Sequence, residues 1–289
     1  MSHSAARWLV LAAAVLFSTG GAAIKTGAFS AAQVSMCRSG VAALVLLAFT
    51  RGRLTVSRTT LGAAVLYAVT LTLFVAATKL TTAAGAIFLQ SVAPLYLLVF
   101  GPLFLREKWS SPDLRHMAAL AVGLALCLAG QGAPTLSAPD PTTGNTYAAL
   151  SGLTWAGTLL FLRRLGRDSR DEHDGLAAVV VGNALAFVVA LPAAWPLPAA
   201  PAAAWASVLY LGVFQIGLAY VCLTRAIRYV SALDTSLLLL IEPVLNPIWT
   251  WLVHGETPGA ATFVGGTVIV TATAVRALRH TRVSAGRLP

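Results

Sequence analysis

The sequence predicts an all-α membrane protein of ten transmembrane helices, arranged as two inverted five-helix repeats. Three observations support this fold class. The 289-residue chain is 57% hydrophobic and only 10% charged, whereas soluble domains carry about 25% charged residues. Its apolar residues form ten runs of about the length needed to cross a bilayer. Two of these runs share proline, aromatic and glutamate residues at a fixed offset along the chain.

The ten predicted spans fall into two sets of five, separated by a polar loop at 131–145. The first set covers 8–25, 31–50, 60–78, 83–105 and 114–130. The second set covers 146–162, 176–195, 203–223, 231–253 and 260–278. We therefore divide the chain into a first repeat, 1–130, a connecting external loop, 131–145, and a second repeat, 146–289, with a basic cytoplasmic tail.

The first run also has the pattern of a cleaved signal peptide, with Arg7, an apolar stretch and small residues. We favour a retained span because residues 16–25 resemble residues 153–163 of the sixth run, so that Lys25 corresponds to Arg163. Removing this run would leave nine spans and break the duplication.

The lysines and arginines orient the spans. If the N-terminus is cytoplasmic, seventeen of the 20 basic residues fall on the cytoplasmic side, the exceptions being Lys25, Lys79 and Arg38. Both termini are then cytoplasmic. Because each repeat has an odd number of spans, the second repeat enters the membrane upside down relative to the first, as in many secondary transporters.

The duplication is clearest in the fourth and ninth spans, QSVAPLYLLVFGPLFLREK from Gln90 and LLLIEPVLNPIWTWLVHGE from Leu238. An offset of 149 positions places Pro94 on Pro243 and Glu107 on Glu256. These proline-centred helices, each closing on glutamate, resemble the drug/metabolite transporter superfamily, EamA type, and the tryptophan of LTWAG in the sixth span supports the resemblance. The first span departs from it, with Phe17 in place of Trp155.

The resemblance covers nearly the whole chain and implies a multi-pass transporter of a bacterial inner membrane. Among members, the overall pattern is most similar to exporters of amino acids and related metabolites, especially aromatic amino-acid exporters of the YddG type. Export as the direction of transport is implied by this resemblance alone. The oligomeric state is open, and a monomer is compatible with the sequence.

Glu242 is the one carboxylate deep inside a predicted span. A charged group at that depth costs about 2.5–3.5 kcal/mol on insertion scales. Two interpretations stay open: a substrate or proton site, or a protonated side chain that donates to a carbonyl freed by a nearby proline. Pro94, Pro243 and Pro247 are predicted to break their helices and expose backbone dipoles to the substrate. The alternative for these prolines is a simple packing kink.

Polar and aromatic residues within the spans form a predicted cavity lining, although Ser and Thr often bond to their own helix and Trp and Tyr often lie at the membrane interface. With Glu242, the predicted substrate-binding residues are Thr19, Tyr67, Gln90, Tyr96, Trp155, Gln215, Asn246 and Trp249. Arg38 is predicted to extend outward to the membrane surface rather than to bind a substrate carboxylate or Glu242. Lys25 and Lys79 are predicted to be interfacial anchors.

The weak internal charge favours a transporter of neutral, zwitterionic or aromatic small molecules, such as amino acids, over a carrier of phosphorylated substrates. The alternatives are an exporter of other drugs or metabolites, a membrane-embedded enzyme that uses Glu242, and a channel. No zinc-protease, serine-hydrolase or phosphate-loop motif is present in the sequence. We predict no enzyme activity, cofactor, metal or nucleic-acid partner; the expected partners are the substrate and the lipid bilayer.

Overall fold

The computed structural model is all-α throughout the described part of the chain. The structure describes residues 1–27, 29–93, 95–96, 111–130, 133–168, 174–226, 229, 238–239 and 241–285. The predicted site residue Pro94, the predicted cytoplasmic Glu107 and the start of the predicted ninth span lie outside these residues.

The described helices form ten helical segments in chain order, two of which are interrupted. The helices of the first half are α1 (His3–Ser18), α2 (Gly20–Lys25), α3 (Ala31–Phe49), α4 (Arg58–Leu80), α5 (Ala83–Gln90) and α6 (Ser111–Ala129). Those of the second half are α7 (Pro141–Asp168), α8 (Asp174–Ala194), α9 (Ala202–Tyr210), a π-helix (Leu211–Leu218), α10 (Ala219–Ala226), α11 (Ile241–His254) and α12 (Ala260–Ala285).

Five of these segments are long and apolar enough to cross a membrane, by length and composition: Ser4–Lys25, Ala31–Phe49, Arg58–Leu80, Gly175–Ala194 and Ala202–Ala226. Leu114–Ala129 and Ala260–Val275 are shorter apolar helices. Large apolar side chains point away from the core along these segments, for example Leu44 and Val189. Such outward apolar faces are what a lipid environment requires.

Hydroxyl and carboxylate side chains set the starts of several helices. Ser30 and Gln33 form a capping box at α3, and the Ser57 hydroxyl accepts a hydrogen bond from the Thr60 amide at α4. At α7, Asp140 accepts from the Thr143 amide at 3.1 Å, and Pro141 occupies the first helical position. Hydrogen bonds from the Thr143 hydroxyl, and next from its amide, lower the pKa of Asp140.

Two helical segments are interrupted where the sequence predicts continuous spans. The first segment breaks at Thr19, between α1 and α2. The eighth segment changes from α to π geometry over Leu211–Leu218 and returns to α geometry at Ala219. Short π segments inside α-helices are frequent at functional sites. Apolar periodicity does not reveal either interruption, because both lie inside uniformly apolar sequence.

Helices of the two halves pack against each other. Helix α4 packs along α7 and α8, α3 packs along α8 and the π-helix, and α12 packs along α6. The α1 helix contacts α10 and α11. One apolar cluster includes Ile24, Phe88, Leu120 and Ile269, and a second includes Phe17, Tyr67 and Tyr220. The polar residues of the candidate site lie beside these two clusters.

Candidate functional site

The break at Thr19 brings α1 and α2 against α11. The indole nitrogen of Trp249, on α11, donates a 2.9 Å hydrogen bond to the hydroxyl of Ser18, which is fully buried. The Thr19 hydroxyl donates to the Leu16 carbonyl and lies 3.0 Å from the Tyr210 hydroxyl. Two predicted site residues, Thr19 and Trp249, therefore lie at this junction.

Two glycines that follow the break face two buried amides. A Cβ on Gly21 would lie 2.5 Å from Oδ1 of Asn246, and a Cβ on Gly20 would lie 2.9 Å from Nε2 of Gln215. Only glycine leaves room for these amides beside the helix. We name Gln215 and Asn246 the amide pair.

The amide pair is buried and incompletely hydrogen-bonded. Asn246 is 1% exposed, and neither its amide oxygen nor its amide nitrogen has a hydrogen-bond partner among the described residues. The same holds for Oε1 of Gln215. Buried polar atoms are nearly always hydrogen-bonded in folded proteins, so unpaired ones call for an explanation. A polar ligand or water between these side chains would supply the missing partners.

An aromatic cluster is formed by residues of α1, α4 and α10. Tyr67 and Tyr220 are buried with their ring centroids 5.3 Å apart in an edge-to-face arrangement, and Phe17 packs edge-to-face on Tyr220 at 5.1 Å. The Asn183 amide nitrogen lies 3.5 Å from the Tyr67 hydroxyl. Half-buried Trp155 packs against the same apolar cluster. The predicted residues Tyr67 and Trp155 therefore belong to, or pack against, one apolar cluster.

Two charged side chains flank this aromatic cluster. Glu242 lies half-buried in the first turn of α11 and interacts electrostatically with Tyr220. Arg38 is 1% exposed and interacts electrostatically with both Tyr67 and Tyr220. The prediction that Arg38 extends to the membrane surface is wrong, because helices from both halves enclose it. In the sequence, a single charge inside an apolar run was the feature that marked Arg38 as unusual.

The predicted residues Gln90 and Tyr96 are instead bonded to α7. The Gln90 amide donates to the Ser151 hydroxyl at 3.2 Å, and the Tyr96 hydroxyl donates to the Ala149 carbonyl at 3.1 Å. These bonds join the fourth segment of the first half to the sixth segment of the chain. In this conformation both residues connect helices.

Two of the three predicted helix-breaking prolines, Pro243 and Pro247, lie in α11. Pro243 is buried in its first turn, and Pro247 lies inside the helix, which continues to His254. Pro247 lacks the N–H that would donate to the Pro243 carbonyl, so it opens the backbone ladder without ending the helix. Pro243 lies in the first turn, where the backbone N–H has no partner within the helix. The Thr250 hydroxyl donates to the carbonyls of Asn246 and Pro247 one turn away.

A buried ion pair joins several helix ends at the side predicted to be external. Lys25 Nζ lies 2.5 Å from Oε2 of Glu256, with the two side chains 6% and 3% exposed. The Ala83 amide, at the start of α5, donates to Oε1 of Glu256 at 2.6 Å. Lys25 also donates to the carbonyls of Thr81, at 2.9 Å, and Ser137.

Lys25 is therefore not an interfacial anchor, as the sequence had suggested. It connects α2 to the end of α4, to the loop before α7 and to the residue two positions after α11. His254 adds a further contact, with Nε2 2.8 Å from the Ala22 carbonyl oxygen. We name Lys25, Glu256 and His254 the end cluster. The predicted topology puts Lys25 and Glu256 on the same, external side of the membrane. This shared side was the one feature of the sequence that indicated that they could pair.

The second half of the chain matches the model of a known protein family. Residues 142–277 match the model of the EamA-like transporter family. The chain also resembles a solved crystal structure at a TM-score of 0.64 and 22% identity, over 98% of this chain and 99% of that chain. That likeness shows the fold alone.

Several relatives are transporters by name. The pseudopaline exporter CntI of Pseudomonas aeruginosa is 29% identical over 213 residues, 71% of this chain and 69% of that protein. An uncharacterized transporter of Archaeoglobus fulgidus is 24% identical over 202 residues, 70% of each chain. The uncharacterized transporter YyaM of Bacillus subtilis is 23% identical over 200 residues, 68% of this chain and 65% of that protein.

Proposed function

We propose that this chain, whose residues 142–277 match the EamA-like transporter family, is a membrane transporter that exports amino acids, with a preference for neutral and aromatic ones. Transport proceeds by alternating access through a central site between the two repeats. On this proposal Glu242 serves binding or coupling rather than catalysis.

The observation that carries this proposal is a set of buried, incompletely bonded polar groups beside aromatic rings. The amide pair offers hydrogen-bond donors and acceptors without partners in the described part of the chain. Tyr67 and Tyr220 offer ring surfaces nearby. Binding sites for small molecules combine apolar walls with a few well-placed polar groups. A small zwitterion with an apolar side chain fits both features.

Glu242 provides a carboxylate for the ammonium group of an amino acid. It lies in the first turn of α11, twelve residues before His254, which places it about 18 Å along the helix from the end cluster. That depth is near the middle of a hydrocarbon core about 30 Å thick. The scarcity of other charges at this depth favours a zwitterion over a phosphorylated substrate, which would require several cations.

The end cluster supports alternating access. In this structure the predicted external ends of α2, α5 and α11 are joined by the buried Lys25–Glu256 pair. A substrate leaving the amide pair toward the outside would have to pass these contacts. We infer that the pair separates when the central site opens outward, so that the site is never open to both sides.

Counterflow in proteoliposomes tests the proposed function. Purified protein is reconstituted with unlabelled amino acid inside, and uptake of the same labelled amino acid is measured for phenylalanine, tyrosine, leucine and alanine. We expect transient accumulation above equilibrium, strongest for phenylalanine and tyrosine, because a carrier exchanges substrate across its central site. Linear uptake that is independent of internal substrate would indicate a channel, and no uptake of any amino acid would reject this substrate class.

The matched variants are Asn246→Ala and Thr267→Ala. Asn246 is part of the amide pair, whereas the Thr267 hydroxyl donates to Phe263 of its own helix. We expect the first variant to lower counterflow at least about tenfold, because hydrogen bonds to charged groups contribute about 1.5–3 kcal/mol. The second should transport at the wild-type rate. If the two variants transported at equal rates, the amide pair would not be part of the substrate site.

Export of other metabolites is the second candidate function. The observation that favours it is the 29% identity to a protein named as a pseudopaline exporter. The panel distinguishes the two candidates, because a carrier for other metabolites would show no counterflow with any of the four amino acids and would require a wider range of solutes.

A further inference from the structure

Arg38 is a buried charge that has no role in the proposed function described above. It is the eighth residue of α3, about 10 Å along the helix from its first residue. At 1% exposed, it is one of the largest fully buried side chains in the described part of the molecule. An intramembrane arginine is costly and is retained where it is paired or functional.

The guanidinium has few partners of its own. Within the described residues, Nη2 donates to the Leu71 carbonyl at 3.1 Å, and Nε has no hydrogen-bond partner. Its electrostatic partners are the hydroxyl-bearing rings of Tyr67 and Tyr220, which are uncharged phenols in their ordinary state. The salt bridge found among the described residues joins Lys25 to Glu256, not Arg38 to a carboxylate. Of the five N–H donors on the planar guanidinium, the one on Nε is therefore left without a partner among the described residues.

Other buried polar atoms without described partners lie on the helices around Arg38. The hydroxyls of Ser35 and Ser39 flank it on α3, and Oδ1 of Asn183 belongs to an α8 side chain whose amide nitrogen lies 3.5 Å from the Tyr67 hydroxyl. All three residues are 1% exposed or less. Several unsatisfied groups around one guanidinium are unlike a completed structural network, in which each member would be bonded.

Gly212 allows the π-helix to approach closely the turn of α3 that carries Arg38. A Cβ on Gly212 would lie 2.5 Å from Cβ of Val41 and 2.8 Å from the Arg38 carbonyl oxygen. The π-helix is therefore in direct contact with the Arg38 turn of α3, and it carries Gln215 of the amide pair. Movement of this segment would change the surroundings of Arg38 and of the amide pair together.

We propose that Arg38 is the carboxylate-binding residue of the transport site, so that the transported molecules are those bearing a carboxylate. A guanidinium binds a carboxylate through two parallel, charge-assisted hydrogen bonds. Tyr220 interacts electrostatically with both Arg38 and Glu242, so the two charges lie around the same aromatic cluster. A zwitterion therefore places its carboxylate at Arg38 and its ammonium group at Glu242, with its apolar part against the tyrosine rings. This inference rests on the proposed function and narrows its substrate class.

The test uses simple carboxylates, so that it does not depend on amino-acid transport. Detergent-purified protein is heated with increasing benzoate or phenylpropionate, and in parallel with the uncharged benzamide or phenylpropanamide. The midpoint of thermal unfolding is recorded at each concentration to obtain an apparent Kd. We expect the carboxylates to raise the midpoint in a saturable way and their amides to have little effect, because only the carboxylates pair with the guanidinium.

Three variants test whether the stabilisation by carboxylates depends on Arg38. Arg38→Gln should weaken carboxylate binding at least about tenfold, since it removes a charge-assisted pair. Arg38→Lys, which keeps the charge but loses the fork, should weaken it by less. Arg58→Gln alters an exposed arginine at the start of α4 and should match the wild type.

Equal stabilisation of the wild type by carboxylates and amides would overturn the proposal, as would unchanged carboxylate binding by Arg38→Gln. If Arg38→Gln does not fold, Arg38→Lys decides: weaker binding supports the proposal, and wild-type affinity overturns it. Carboxylate binding that depends on Arg38, together with no amino-acid counterflow, would keep this inference and reject amino acids as the substrates.

Discussion

At the scale of single residues, unpaired polar groups in the interior distinguish this protein from an inert helical bundle. The amide pair, Arg38 and Glu242 are expensive to bury. Their sequence neighbours are apolar, so sequence reasoning could identify each as unusual. It could not determine which of them are enclosed, because that depends on helices far away in the chain. Arg38 was therefore misjudged, while Tyr67, Trp155, Gln215 and Asn246 do lie in the interior.

The first prediction concerns Glu242. If it binds the ammonium group, Glu242→Gln should raise the KM for phenylalanine about tenfold, because a charge-assisted hydrogen bond is lost. The KM for phenylpropionate, which lacks the amine, should not change. Proteoliposome transport of the two compounds measures the difference. An equal rise for both would show that Glu242 supports the helix rather than the substrate. Transport by the variant with an unchanged pH dependence would exclude Glu242 as a proton site.

The second prediction concerns the Lys25–Glu256 pair. Removing one member leaves a buried charge without its partner, which typically destabilises a protein by about 3–5 kcal/mol. Lys25→Met and Glu256→Gln should each lower the thermal midpoint, whereas the double variant should lose less than the sum of the two. Lys79→Met is the control, since Lys79 lies at the same end with a 3.4 Å hydrogen bond to the Gly27 carbonyl. Additive losses would show that the two side chains are not coupled.

At the scale of elements, the sequence predicted the number and order of the helical segments but not their interruptions. Hydropathy reports where a segment is apolar, and both α1–α2 and the segment from Ala202 to Ala226 are apolar throughout. The break at Thr19 and the π-helix depend on side chains from other segments, such as Trp249 and Val41. Pro247 shows the converse, since a predicted helix breaker lies within a continuous helix.

The third prediction concerns the contact between the π-helix and α3. Gly212→Ala places a methyl group 2.5 Å from Cβ of Val41, so the helices must separate, at a cost of about 1–3 kcal/mol. We expect a lower thermal midpoint and weaker carboxylate stabilisation, because Arg38 lies on the displaced turn. Gly175→Ala is the matched control, since among the described residues its added Cβ would meet only Thr224, at 3.7 Å. If Gly212→Ala unfolded at the wild-type midpoint temperature, the π-helix and α3 would not be tightly packed at this position.

At the scale of the whole molecule, the account depends on two repeats of opposite orientation. The ends of α2, α4 and α11 meet at one end of the bundle, together with the loop before α7. The Lys/Arg distribution predicts all four on the external side. This agreement supports the predicted inverted topology.

The most direct test of the inverted repeats is side-specific cysteine labelling in intact cells. Cysteines are introduced one at a time at Glu107 and Thr257, which flank equivalent ends of the two repeats, in a background with Cys37, Cys127 and Cys222 replaced by alanine. A membrane-impermeant maleimide should label the Thr257→Cys protein from outside, and the Glu107→Cys protein only after the membrane is opened. Labelling of both from the same side would contradict the inverted repeats and the alternating-access transport built on them.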